Sequence, residues 1–227
     1  MKRILIIASH PDDETLGCGG LISKLKKQGA DFFVLFIGEG STCRFKDPSS
    51  KEALSSIENR NFCAKKTMEF LGIDDYYFNN FPCGRFDTVP ILEINKVIEN
   101  IISEFKPDTI FSHSPNDANS DHQITYKSTI MSTRPGALNS VESVYTFEVL
   151  SSSEWSFLKT FKPNYFIELN QKDVDVKCEA LGIYESELKD YPFPRSSEGI
   201  KTLAMLRGMQ SGFYYAEAFS LIRKLQK

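Results

Sequence analysis

The stretch Arg3-Ile4-Leu5-Ile6-Ile7-Ala8-Ser9, followed by His10-Pro11-Asp12-Asp13-Glu14-Thr15-Leu16-Gly17-Cys18-Gly19-Gly20, decides how this chain reads. Ile4 to Ile7 form a continuous apolar run, which predicts a strand buried on both faces from Arg3 to Ser9. A polar, glycine-bearing turn comes next. Leu16 to Lys27 then predict a helix, with Leu21, Ile22 and Leu25 on one face and Gly29 beyond its end. Phe32 to Ile37 predict a second apolar strand. Strand, helix, strand in immediate succession is a βαβ unit, and it implies a parallel sheet with a right-handed crossover.

The alternation continues outward from this unit. Ser50 to Phe70 predict a helix that stops at Leu71-Gly72, and Asp74 to Phe81 hold a short aromatic strand. Pro90 to Phe105 predict a helix, and Thr109 to Ser112 a strand after Pro107. Gln123 to Met131 read as helix, Val141 to Phe147 and Tyr165 to Leu169 as strands. Val174 to Glu187 and Ser197 to Arg207 read as helices, with Pro192 and Pro194 marking the connection. The expected organisation is one domain over residues 1–227, with 170–227 as a helical extension packed on it.

Composition narrows the function classes. The 227 residues carry 27 Lys plus Arg against 30 Asp plus Glu, a net charge of -3, so no basic footprint for nucleic acid is present. The apolar run at Ile4 to Ala8 is too short for a signal-peptide core, and no stretch reaches the roughly 20 apolar residues of a membrane helix. Cys18, Cys43, Cys63, Cys83 and Cys178 are odd in number, scattered and without a C-x-x-C pair. They read as free thiols, and a cytoplasmic location is the expectation.

Chemistry concentrates in two loops. His10-Pro11-Asp12-Asp13-Glu14 follows the first strand, where a parallel sheet presents its ligands. His10 and Asp13 are three residues apart, so one turn of chain can aim both at one point; imidazole and carboxylate are Zn2+ ligands. Asp12 then points elsewhere and is free as a base. The same tract also reads as a helix start, with Pro11 at the first helical position and acids in the first turn. A dinucleotide site does not fit, because Gly17, Gly19 and Gly20 miss the G-x-G-x-x-G spacing and acids stand where a pyrophosphate would lie. Close packing of the helix start accounts for them better. The second loop, Ser112-His113-Ser114-Pro115-Asn116-Asp117-Ala118-Asn119-Ser120-Asp121-His122, holds the other two of only three histidines. An EF-hand reading fails at His122 and Ser128, where Gly and Glu are required. Asx turns explain the loop in isolation. If the two strands are neighbours, His10, Asp13 and His122 converge as two imidazoles and a carboxylate with an open position for water.

Ser9-His10-Pro11-Asp12-Asp13-Glu14 with Leu16-Gly17-Cys18-Gly19-Gly20, then Asp121-His122, resemble the motifs of the LmbE-like, or PIG-L, de-N-acetylase family. Arg60 with Leu71-Gly72, and Tyr215-Ala216-Glu217-Ala218-Phe219, resemble weaker stretches of it. The resemblance implies an α/β, Rossmann-like three-layer sandwich with a mostly parallel sheet. It implies one divalent metal ion, Zn2+ ahead of Fe2+, Co2+ and Mn2+, and hydrolysis of an N-acetyl group from a glucosamine-type sugar. A non-sugar amide as substrate, and a weakly catalytic binding protein, stand as alternatives. Carried over, His10, Asp13 and His122 are metal ligands, Asp12 is the general base and Arg60 touches substrate. Asn119 stands where many members have a histidine; it can donate to an oxyanion but cannot protonate an amine. That leaves His113, or Asp12 returning its proton, as the acid. Glu14 and Asp121 are expected behind the reacting groups. Arg44, in the Gly-Ser-Thr loop after the second strand, reads either as a substrate contact or as a solvated loop arginine. The expected partner is a small N-acetylated sugar, with no nucleic acid and no membrane insertion, and a homo-oligomer is left open.

Overall fold

The computed structural model describes residues 1–136 and 140–226. In chain order the elements are β1 (Arg3–Ala8), α1 (Asp13–Lys26), β2 (Asp31–Gly38), α2 (Lys51–Leu71), β3 (Asp75–Phe81), α3 (Ile91–Phe105), β4 (Thr109–His113), α4 (Ser120–Ser132), β5 (Ser143–Phe147), β6 (Tyr165–Leu169), α5 (Gln171–Ile183), α6 (Ser197–Ser211) and β7 (Tyr215–Lys224). The sheet has seven strands in the order β3-β2-β1-β4-β5-β7-β6. Strands β1 to β5 pair in parallel, while β7 runs antiparallel to both β5 and β6.

β1 explains the layering. Its alternate side chains feed two cores: Ile4 and Ile6 pack with residues of α1, α2, α5 and α6, and Leu5 and Ile7 with α3. A strand covered on both faces has no polar side, which is why Ile4 to Ile7 are all apolar. Ile94, Ile98, Ile101, Ile102 and Phe105 form the buried stripe of α3 at helical spacing. The result is the expected three-layer α/β sandwich with a mostly parallel sheet.

Strand order reverses between β1 and β4: the chain moves outward from β1 to β2 and β3, then returns to β4 on the other side. The two loops read as chemical in the sequence leave the carboxyl ends of these neighbouring strands, the usual ligand crevice of an open α/β sheet.

Four elements differ from expectation. Helices α1 and α4 begin at Asp13 and Ser120, earlier than read, so Asp13 and His122 lie in first helical turns. Helix α5 ends at Ile183, leaving Glu187 in the following loop. Residues 170–227 hold α5 and α6 as expected but also β7, which inserts between β5 and β6. Tyr215-Ala216-Glu217-Ala218-Phe219, the buried start of β7, lies inside the sheet. Among the described residues, no helix is long and apolar enough to cross a membrane.

Candidate metal and active site

The site grows from a tight turn between β1 and α1. Asp12 has φ 117°, a left-handed conformation that costs a non-glycine residue about 1–3 kcal/mol. Its N–H donates to Glu14 Oε2 at 2.9 Å. Its Oδ2 receives Arg195 at 2.7 Å and Arg60 at 3.1 Å. The turn therefore sends the adjacent Asp12 and Asp13 carboxylates to different partners. Arg60 is buried, donates to Pro11 O at 2.7 Å and pairs with Glu187. Gly17 lets α1 lie close on the sheet: a Cβ there would stand 2.3 Å from the Phe147 ring.

Asp13 Oδ2 is the centre of the cluster. His10 Nδ1 lies 3.5 Å from it, His122 Nε2 3.4 Å and His113 Nε2 3.4 Å. Ligand atoms of His10, Asp13 and His122 all fall within 4.8 Å of one another, and all three residues are buried. A carboxylate backs each of the two outer imidazoles. Asp121 Oδ2 lies 3.0 Å from His10 Nε2, and Asp117 Oδ1 lies 3.2 Å from His122 Nδ1. Such pairs fix ring orientation and direct the opposite nitrogen inward. Asp121 is in turn held by Gly84 N–H at 2.6 Å and Phe86 N–H at 3.2 Å. Asp117 accepts Ser152 Oγ at 3.0 Å and Ser153 Oγ at 2.6 Å.

These residues fit a divalent cation. The 3.4 and 3.5 Å separations around Asp13 exceed good hydrogen-bond lengths. They match the edge of a tetrahedron with bonds of roughly 2.0–2.1 Å, which is about 3.3 Å. Electrostatics agree. Burial pushes Asp13 up, but His122, His113 and His10 together pull it well below the usual carboxylate range. Burial pulls His122 down, but Asp13 and Asp117 raise it to about 10. The pocket thus demands positive charge.

Asp12 behaves differently: burial raises its pKa above the ordinary value, outweighing Arg60 and Arg195. Two adjacent aspartates are pushed in opposite directions, which suits one to ligation and the other to proton transfer.

Four expected residues take more specific places. His113 is close to Asp13, but its Nε2 accepts Ser9 N–H at 2.8 Å. Burial, then His122, push its pKa down to about 3, so the ring is neutral near neutral pH and has no imidazolium proton to give. Asn119 caps α4, its Oδ1 accepting Asp121 N–H at 2.9 Å, and among the described residues its side chain makes no hydrogen bond to His10, Asp13, His113 or His122. Glu14 bonds Tyr184 Oη at 2.8 Å and is raised to about 7, chiefly by burial. Arg44 forms a two-point pair with Glu187 at 2.7 and 2.8 Å.

Glu187, Arg195 and Asp117 are the residues that sequence reading missed. Glu187 binds Arg44, Arg60 and Arg195 together. Arg195 bridges Glu187 and Asp12, residues separated by most of the chain. Nothing in sequence spacing signals such a contact. Asp117 had a local signal, lying five residues before His122 in the second loop, but turn chemistry accounted for it there. Beside this network opens a cavity of about 370 Å³, walled by Arg44, Ser151, Trp155, Ser186, Phe193 and Arg195 among others.

Residues 5–132 match the model of the family described as PIG-L, GlcNAc-PI de-N-acetylase. The chain belongs to the PIG-L family. It is 26% identical to the diacetylchitobiose deacetylase of Thermococcus kodakarensis over 231 residues, covering 98% of this chain and 84% of that protein. The structure is similar to N,N'-diacetylchitobiose deacetylase from Pyrococcus horikoshii, with TM-score 0.79, 24% identity and coverage of 98% of this chain and 84% of that one. It is also similar to a 4-carboxy-2-hydroxymuconate hydratase from Pseudomonas putida, with TM-score 0.75, 20% identity and coverage of 100% and 98%. Fold likeness alone therefore spans more than one reaction. In this PIG-L chain, the family match covers β1 to α4 and hence all three histidines.

Proposed function

We propose that this chain hydrolyses the N-acetyl group of a glucosamine-type sugar or sugar conjugate and releases acetate, with one divalent ion, Zn2+ first, at His10, Asp13 and His122. The carrying observation is the convergence of those three donors beside Asp12, in a chain of a de-N-acetylase family. The relatives named as diacetylchitobiose deacetylases support the sugar assignment.

A divalent ion bound there supplies Lewis acidity and a water of lowered pKa. The chain's own residues do the rest. Asp12 takes the proton of the attacking water at Oδ1, because Oδ2 is committed to Arg60 and Arg195. Its raised pKa equips it to return that proton to the departing amine. That assigns both proton transfers to one carboxylate and leaves His113 as a neutral packing and orienting ring. Asp117 and Asp121 hold the imidazoles in register. Arg60 acts through Asp12, which it aims, and Arg44 meets the sugar at the cavity. Trp155 and Phe193, whose rings pack edge to face at 5.9 Å, give the pyranose apolar faces. Ser151 and Ser186 offer hydroxyls to sugar hydroxyls.

The test is acetate release by Zn2+-loaded protein from N-acetylglucosamine, diacetylchitobiose and conjugates, beside a panel of non-sugar acyl amides. Release confined to sugars is expected. Release confined to non-sugar amides, or none from any member, sinks the proposal.

A further inference from the structure

Cys43 and Cys83 are distant in sequence but adjacent in space. Their Sγ atoms lie 3.1 Å apart, closer than two unbonded sulfurs normally rest. Cys43 sits in the short 3-10 turn Thr42–Arg44 after β2 and is exposed. Cys83 lies after β3 and is buried. The hydrogen bond from Cys83, with Arg44 alongside, draws the Cys43 thiol down to about 6. An exposed, acidic thiol beside a buried second thiol is the arrangement in which one sulfur attacks and the other resolves.

Both cysteines adjoin the site. Arg44, next to Cys43, holds Glu187, and Gly84, next to Cys83, holds Asp121 behind His10. The Cys83 sulfur lies within 4.8 Å of ligand atoms of His10 and Asp121.

We propose that Cys43 and Cys83 form a reversible redox modification site, closing to a disulfide that straps the β2–α2 and β3–α3 loops together beside the metal cluster. The oxidant class is a low-molecular-weight disulfide. The Cys43 thiolate attacks one sulfur of it, forming a mixed disulfide and releasing one thiol. The Cys83 sulfur, its proton passing to solvent, then attacks Cys43 Sγ and expels the second thiol. Two protein thiols are oxidised and one small disulfide is reduced to two thiols. Closure moves Cys83 Sγ towards Cys43 and removes a thiol from the group near His10.

The test treats the metal-loaded protein with oxidised glutathione, alkylates remaining thiols and maps peptides without reduction. A peptide pair linked through Cys43 and Cys83, with two thiols lost per chain and recovered with dithiothreitol, is expected. Cys83→Ser should hold glutathione stably on Cys43. Cys43→Ser should lose thiols at least 10-fold more slowly than wild type. The proposal is overturned if Cys63 or Cys178 is modified while no linked pair forms, or if Cys43→Ser and wild type react at the same rate.

Discussion

At the scale of single residues, neighbouring positions take opposite roles because the backbone separates them. Asp12, in its left-handed conformation, faces two arginines, while Asp13 faces three imidazoles. Asp12→Ala should keep the metal, measured by elemental analysis, and lose about 10²–10⁴-fold in kcat. Asp117→Asn should weaken metal affinity about 10–100-fold while leaving Asp12 in place, read by competition with a chelator. Asn119→Ala should cost about 1 kcal/mol of stability in denaturant unfolding, as loss of a helix cap does. A kcat within a few-fold of wild type in the same variant would mark Asn119 as a cap, and a loss beyond 100-fold would make it a catalytic donor. The grouping of His10, Asp13 and His122 was legible because histidine is scarce, with three in the chain, and Asp13 stands three residues from one of them. Asp117 was hidden, since one more Asp in an Asn-, Asp- and Ser-rich loop carries no distinguishing mark.

Elements set those residues in place. Apolar runs and Gly or Pro punctuation marked β1, β2, α2 and α3 to within a residue or two, because their burial is continuous or strictly periodic. The starts of α1 and α4 were read late for a physical reason: their first turns are built from polar site residues, which resemble loop. Asp13 and His122 thereby gain fixed helical geometry. The Glu187 hub is a property of the loop after α5. Burial raises the Glu187 pKa, but Arg44, Arg60 and Arg195 bring it down to about 2. A folded pKa below the unfolded value of 4.5 gives stability that is fully present above about pH 4.5 and lost as pH falls towards 2. Thermal melts of wild type from pH 7 to pH 3 should therefore fall more steeply than those of Glu187→Gln. At pH 7 that variant should be less stable by about 1–3 kcal/mol, because buried Arg60 keeps Asp12 but loses the second of its two carboxylate partners. Equal melting profiles would remove Glu187 from this role.

Over the whole molecule, the βαβ start was enough to place the site, because strand order reverses beside the strand that begins it. What remained hidden depends on distance along the chain. β7 carries an ordinary mixed sequence, and only its pairing with β5 and β6 makes it a strand. Arg195 reaches Asp12 from late in the chain, so one of the two arginines that hold this carboxylate comes from a segment outside the matched family region. The division of labour between the donor set and Asp12 is tested most directly by acetate release per bound metal ion. The comparison is wild type with Asp12→Ala, both loaded with Zn2+, on one N-acetylated sugar. Equal metal content with release lowered at least 100-fold in the variant is the predicted result. Wild-type release from Asp12→Ala, or wild-type protein that binds no ion at His10, Asp13 and His122, would contradict it.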